Sequence, residues 1–225
     1  MCGRYELHSH PQVIALLAGL GAPPELLPRY NIAPTQNGLL VRTDAHGGRE
    51  AVFAHWGLIP FWAKEKDLGA RLINARAESL AEKPAFRQAF KKRRCLVPAD
   101  GFYEWQGPPG NKQPWHIGMA DDGPFAMAGL WECWHDPAGA MLESYTIITT
   151  AANAMVKRLH DRMPAIIAPA DYAAWLNPAN EAPSQLLAPF PAEEMRAYPV
   201  SRRVNNVKND DAGCAERLPE PEVDR

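Results

Sequence analysis

Apolar residues recur along this chain with two different periods. Over residues 11–20, Val13, Leu16, Leu17 and Leu20 fall three and four apart, the spacing of one helix face, and Gly21-Ala22-Pro23-Pro24 ends the run. Residues 30–35 read as loop. From there the period shortens: residues 39–43 and 50–56 are β-like stretches on either side of a turn at residues 44–48, which predicts a hairpin. The central third is crowded with short apolar, aromatic or β-branched runs at residues 95–98, 101–105, 114–117, 125–131 and 144–149, most of them separated by Gly or Pro. Helices are predicted at residues 84–90, 152–159 and 171–176, with one more strand at 165–167. Strands in such close succession predict an α+β fold with a mostly antiparallel, curved or barrel-like β core and peripheral helices, not a parallel sheet alternating with helices. Residues 1–215 form the expected single domain, and the charged, proline-containing residues 216–225 an expected flexible tail.

Composition narrows the classes of function. A chain of 225 residues with 46% hydrophobic content can bury a proper core. Its net charge of -2 advertises no nucleic-acid partner, so any such partner must meet a local patch. Residues 71–94 offer one: Arg71, Arg76, Lys83, Arg87, Lys91, Lys92, Arg93 and Arg94 stand against only Glu78 and Glu82, although Lys91 to Arg94 read better as a solvated helix face. The four cysteines, Cys2, Cys95, Cys133 and Cys214, lie far apart, without the spacing of a metal site. With no signal-peptide pattern and no apolar run of membrane-spanning length, a cytoplasmic protein is expected.

Four polar residues invite chemistry. If Met1 is removed, Cys2 becomes the amino terminus and carries an α-amine and a thiol on neighbouring carbons, with ordinary pKa values of about 8 and about 8.5. A small residue at position 2 also simply permits methionine trimming, so Cys2 alone decides nothing. Glu104 alternates with Tyr103 and Trp105 on a predicted strand, so it sits beside an aromatic whichever face is buried. A carboxyl in apolar surroundings has its pKa raised and can exchange protons near neutrality, and an edge-strand glutamate paired with a cation fits the pattern equally well. His160 closes a predicted helix, where it can shuttle a proton or merely cap, and Asp161 and Arg162 follow as an orienting partner, a phosphate contact or a surface ion pair. Asn74 can hold an amine or a carbonyl, or serve as the N-cap of a helix over residues 75–80. His8, His10, His46, His55, His116 and His135 show no comparable setting. No His, Cys and carboxylate spacing calls for zinc or iron, so no metal or cofactor is expected. Phe61 and Trp62, in a stretch broken by proline and charge, form a candidate stacking surface.

Taken together, Met1-Cys2-Gly3-Arg4-Tyr5, Tyr30-Asn31-Ile32-Ala33-Pro34, Trp56-Gly57-Leu58-Ile59-Pro60, Ile73-Asn74-Ala75-Arg76-Ala77-Glu78, Gly101-Phe102-Tyr103-Glu104-Trp105 and His160-Asp161-Arg162-Met163-Pro164 closely resemble the SRAP family, the SOS response-associated peptidase proteins. The blocks keep the family's order from Cys2 to about Lys208. The resemblance implies a protein of the DNA damage response that senses abasic sites in single-stranded DNA and joins itself to them covalently, with autoproteolytic loss of Met1 and a lyase-type reversal. It makes Cys2 the nucleophile, closing a thiazolidine ring on the sugar aldehyde. Asn74 then holds Cys2, Glu104 moves protons, and His160 assists sugar opening and reversal. Arg4, Arg76 and Arg162 become phosphate contacts, Trp62 with Phe61 a wedge against unstacked bases, and Trp105 a lining residue. Some relatives carry paired tryptophans where this chain has Phe61-Trp62. Residues 216–225 hold no aromatic pair, so the polymerase-clamp-binding tail of vertebrate relatives is not expected. A monomer is expected, at the nucleoid when bound to DNA. Two other readings stay open. One is an N-terminal-cysteine peptidase or amidohydrolase, which needs an oxyanion hole, and the other a reversible single-stranded DNA-binding module with an incidental Cys2.

Overall fold

The computed structural model describes residues 2–136, 138–181 and 183–219. Within them the strands are, in chain order, β1 (Tyr5–Leu7), β2 (Arg29–Ile32), β3 (Asn37–Thr43), β4 (Arg49–Trp56), β5 (Asn74–Arg76), β6 (Arg94–Ala99) and β7 (Gly101–Gln106). They continue with β8 (Gln113–Met119), β9 (Phe125–His135), β10 (Met141–Ala151), β11 (Arg162–Pro164), β12 (Ile166–Ile167) and β13 (Met195–Pro199). Three short helices, α1 (Pro11–Ala18), α2 (Arg87–Lys92) and α3 (Tyr172–Leu176), lie among them. The α+β class with a barrel-like, mostly antiparallel core is thus what the chain adopts.

Two sheets share the strands. One is antiparallel throughout and runs β13-β8-β7-β1-β2. The other runs β11-β10-β4-β3-β6-β9-β12, and a further antiparallel pairing of β9 with β10 closes β10, β4, β3, β6 and β9 into a ring. Closure removes the open edges that a strand-rich chain would otherwise present. The predicted hairpin is β3 and β4, in register from Asn37 opposite His55 to Thr43 opposite Arg49. Its turn is built by Asp44, whose Oδ1 accepts from the amides of His46 and Gly48, with Gly47 at φ 83°. β1 joins the two sheets, because the Tyr5 hydroxyl meets that of Tyr145 on β10 at 2.7 Å and its ring packs edge-on against Trp56. Gly38 makes room for the pair: a Cβ there would stand 2.1 Å and 2.2 Å from the two hydroxyl oxygens.

Packing overrode the local pattern in several places. Helix α1 buries Ile14, Ala15 and Ala18, whereas Leu16 is 78% exposed and Val13 is exposed too. The small alanines let the helix backbone approach the core, and Arg49 fixes its end by donating to the Ala18 carbonyl at 2.7 Å. No helix starts at Asn74; residues 74–76 form β5, hydrogen-bonded parallel to β10, and only the short turn Ala77–Ser79 follows. The helix expected over 152–159 reduces to one turn, Val156–Arg158, because Asn153 accepts from the Val156 amide and donates to the Phe190 carbonyl. Of the expected tail, Arg217 bridges to Val200 and the Leu218 amide donates to the Pro199 carbonyl at 2.8 Å, while residues 220–225 lie outside the described residues. Among the described residues no helix is long and apolar enough to cross a membrane.

Candidate active site

The site is assembled where β1, β5, β7 and the segment before β11 converge. Tyr5 pairs with Phe102 and Glu6 with Gly101, and the Tyr103 amide donates to the Arg4 carbonyl at 3.0 Å. Continued toward the amino terminus, that register sets Gly3 beside Glu104. Cys2, just before it, is 0% exposed and belongs to the main apolar core with Tyr5 and Phe102. From the opposite side Asn74 donates its Nδ2 to the Cys2 carbonyl at 2.7 Å. The parallel pairing of Asn74 with Ile147 holds it there, as does the Trp56 indole donating to the Ile73 carbonyl at 2.9 Å. The Asn74 Oδ1 is buried and accepts no hydrogen bond among the described residues.

Glu104 is 4% exposed on β7, a strand flanked on both sides and not an edge. Burial raises the pKa of its carboxyl, against the opposing influence of nearby His160 and Lys112. Burial also pushes the Cys2 thiol up to about 12, with the Glu104 charge adding to the shift. The thiol therefore rests protonated near neutrality, well above the value expected for an exposed cysteine, and needs a base before it can attack. His160 follows the turn Val156–Arg158, its amide donating to the Val156 carbonyl at 2.9 Å. Its Nδ1 accepts from the Arg162 amide at 2.9 Å, so the neutral ring carries its proton on Nε2. Cys2, Asn74, Glu104 and His160, predicted from four separate stretches, thus stand in one neighbourhood.

The expected DNA contacts are spread more widely. Arg76 is exposed at the end of β5, opposite Thr149 of β10. Arg162 reaches the same Thr149, donating to its carbonyl at 2.5 Å, and also grips Glu78 with both terminal nitrogens at 2.5 Å and 2.9 Å. Arg4 turns inward: one nitrogen donates to Asn31 Oδ1 and to the Val204 carbonyl, each at 2.7 Å, and the guanidinium lies 5.7 Å from the centre of the Trp105 ring. Trp105 donates to Asn205 Oδ1 at 2.7 Å, so both residues tie β1 and β7 to the segment that follows β13. Phe61 and Trp62 are 56% and 50% exposed on a loop held by Ser144, which accepts from the Ile59 amide, and by Trp134, which donates to the Ala63 carbonyl. They face separate hollows, Trp62 one of about 390 Å³ with Lys64 and Arg71, Phe61 one of about 550 Å³ with Lys92, Arg93 and Trp131.

Sequence reasoning passed over two groups that build the site. Asn31, read as loop, is fully buried and donates to the carbonyls of Val204, Asn206 and Asn209, while Asp210 accepts from the amides of Tyr30 and Asn31. The only signal for them was the Tyr30 to Pro34 block itself. Lys112 sits in the β7–β8 turn, whose Gly107 and Gly110 have φ of 118° and 83°, and nothing in its composition pointed to Glu104. Among the described residues no group of three or more His, Cys, Asp or Glu side chains is placed to hold a metal ion.

Comparison with known proteins covers nearly the whole chain. The family model described as SOS response associated peptidase (SRAP) matches residues 1–207. The abasic site processing protein YoqW of Bacillus subtilis is 43% identical over 216 residues, covering 93% of this chain and 96% of YoqW. The abasic site processing protein YedK of Escherichia coli is 34% identical over 223 residues, covering 94% and 97%. A crystal structure of a protein from Bacteroides thetaiotaomicron superposes with a TM-score of 0.86 at 29% identity, covering 97% of this chain and 100% of that one.

Proposed function

The chain belongs to the SOS response-associated peptidase family, and from that premise we propose that it processes abasic sites in single-stranded DNA by joining itself to them through Cys2. Loss of Met1, by self-cleavage, frees the α-amine. The Glu104 carboxylate takes the proton of the anomeric hydroxyl and passes it to the ring oxygen of the abasic sugar, to which His160 Nε2–H donates a hydrogen bond, and this opens the sugar to its aldehyde. The amine adds to the aldehyde carbon, its two protons pass through Glu104 to the oxygen, and that oxygen leaves as water to give an imine. The Cys2 sulfur then adds to the same carbon, its proton passing through Glu104 to the imine nitrogen, and a thiazolidine closes. The balance is protein plus DNA minus one water, with no change of oxidation state. Two bonds to one carbon make the adduct durable, because reopening either bond competes with an intramolecular reclosure of high effective concentration. His160 assists the reverse path.

The observation that carries this reading is the Asn74 hydrogen bond to the Cys2 carbonyl at 2.7 Å, which holds the amino-terminal residues on the side of Glu104, a carboxyl whose pKa burial raises. Asn74 is the holding group. Arg76 and Arg162, flanking Thr149, bind phosphates of the passing strand, Arg4 and Trp105 shape the wall beside it, and Trp62 stacks on a base. A denaturing gel tests the reading. Abasic single-stranded DNA and the wild-type protein give a band that survives denaturation, whereas Cys2→Ala and a chain extended before Cys2 give none. Turnover of glutamine or of protein substrates without such a band would favour the amidohydrolase or peptidase reading instead.

A further inference from the structure

The face of β1 and β7 turned away from Glu104 holds a second buried polar cluster, which the chemistry above leaves unused. Glu6 is 1% exposed, His116 4% and Tyr103 0%. Glu6 Oε1 accepts from His116 Nε2 at 2.7 Å, and Oε2 accepts from the Tyr103 hydroxyl at 2.5 Å. His8 Nε2 stands 3.4 Å from Oε1. Gly101, paired with Glu6, is what lets His116 in, since a Cβ there would lie 2.0 Å from His116 Nε2. The His116 ring is itself stacked on Tyr198 with ring centres 4.7 Å apart.

The cluster answers a problem that β1 poses. This strand has three residues, and Cys2 rides on its amino-terminal side. So short a ladder resists sliding weakly, yet a slip by one residue would turn every side chain to the opposite face. Tyr5 points into the main core and Tyr103 into the satellite cluster with Val200, Val204 and Cys214, so a slipped Glu6 would carry an ionised carboxylate from its donors into apolar surroundings. We propose that Glu6, gripped by His116 and Tyr103, is the positioning residue that fixes the register of β1 and thereby holds Cys2 against Asn74 and Glu104. This role rests on reading Cys2 as the reacting residue.

Single-turnover crosslinking to abasic single-stranded DNA, with protein in excess, separates positioning from plain stability. It yields the limiting rate, the half-saturating protein concentration and the fraction that reacts. A loss of folded protein raises the apparent half-saturating concentration and leaves the limiting rate unchanged, whereas a displaced Cys2 lowers the limiting rate. Glu6→Gln and His116→Phe, which removes the donor and keeps a ring, are expected to lower the limiting rate about tenfold or more with half-saturation unchanged. His116→Gln, which keeps an amide donor, is expected to stay within about threefold of wild type. Should Glu6→Gln fail to fold, the two His116 variants decide. Equal limiting rates in His116→Phe and wild type would overturn the inference alone. An unreactive wild type would overturn the reading of Cys2 and this inference with it.

Discussion

Glu6 and Glu104 stand on adjacent strands of one sheet, both nearly shut off from solvent, and their carboxyls are shifted in opposite directions. Burial raises both. In Glu6 the hydrogen bonds from His116, His8 and Tyr103 outweigh it and bring the carboxyl from 4.5 down to about 2. In Glu104 burial wins over the influence of His160 and Lys112, and the carboxyl stays raised. Desolvation sets the stakes, and the donors decide which way they fall. A carboxylate surrounded by donors is a fixed charge suited to holding a strand in place. One kept between its two states can pass protons to a substrate.

The contrast breaks first if Glu104→Gln behaves like a structural change. That variant is expected to slow crosslink formation by about 10²–10⁴-fold. It is also expected to melt higher than wild type at pH 7, by about 2–4 °C for each kcal/mol gained. The sign follows from the raised carboxyl: above pH 4.5 the unfolded chain ionises more readily than the folded one, so stability falls as pH climbs toward the folded value. At pH 4 the two should melt together, and thermal melts at both pH values check it.

Glu6→Gln should do the reverse. The lowered carboxyl adds stability on the order of 3 kcal/mol above pH 4.5, lost as pH falls through about 2. The variant therefore melts well below wild type at pH 7, with the two converging in acid, as urea unfolding across that range would read. A smaller effect separates two arginines. Arg4→Ala removes a charged donor from Asn31 and Val204 and is expected to cost about 1.5–3 kcal/mol. Arg76→Ala leaves the melt unchanged but weakens binding to single-stranded DNA and lowers the salt slope by about one. Smallest is His8, which its hydrogen bond to Glu6 raises, so its contribution is present below about pH 6.5 and fades as pH rises through the raised value. Being half-buried, its removal by His8→Phe should shift the melt by a fraction of a kcal/mol in acid and by less at pH 9.

Local pattern carried the fold a long way. The β3–β4 hairpin and the central strands were legible because alternation and turn residues are local signals, and Asp44 and Gly47 mark their turn in the sequence itself. Of the two readings open for Asn74, the helix cap fails because residues 74–76 form a strand that exists only through its pairing with β10, far along the chain. Cys2, Glu104 and His160 could be singled out from residue type and motif, but not the state of the Cys2 thiol, whose rise to about 12 comes from burial that no sequence window reports. Glu6, Tyr103 and His116 have no spacing in common, and His8 and His116 looked unremarkable one at a time. Only the register of β1, β7 and β8 brings them together.

The covalent role of Cys2 is tested most directly by the intact mass of the protein after incubation with an abasic single-stranded oligonucleotide. The expected species has the mass of the chain without Met1 plus the oligonucleotide minus one water, survives denaturation, and is missing from Cys2→Ala. A wild-type mass left unchanged after incubation, or the same adduct formed by Cys2→Ala, would contradict it.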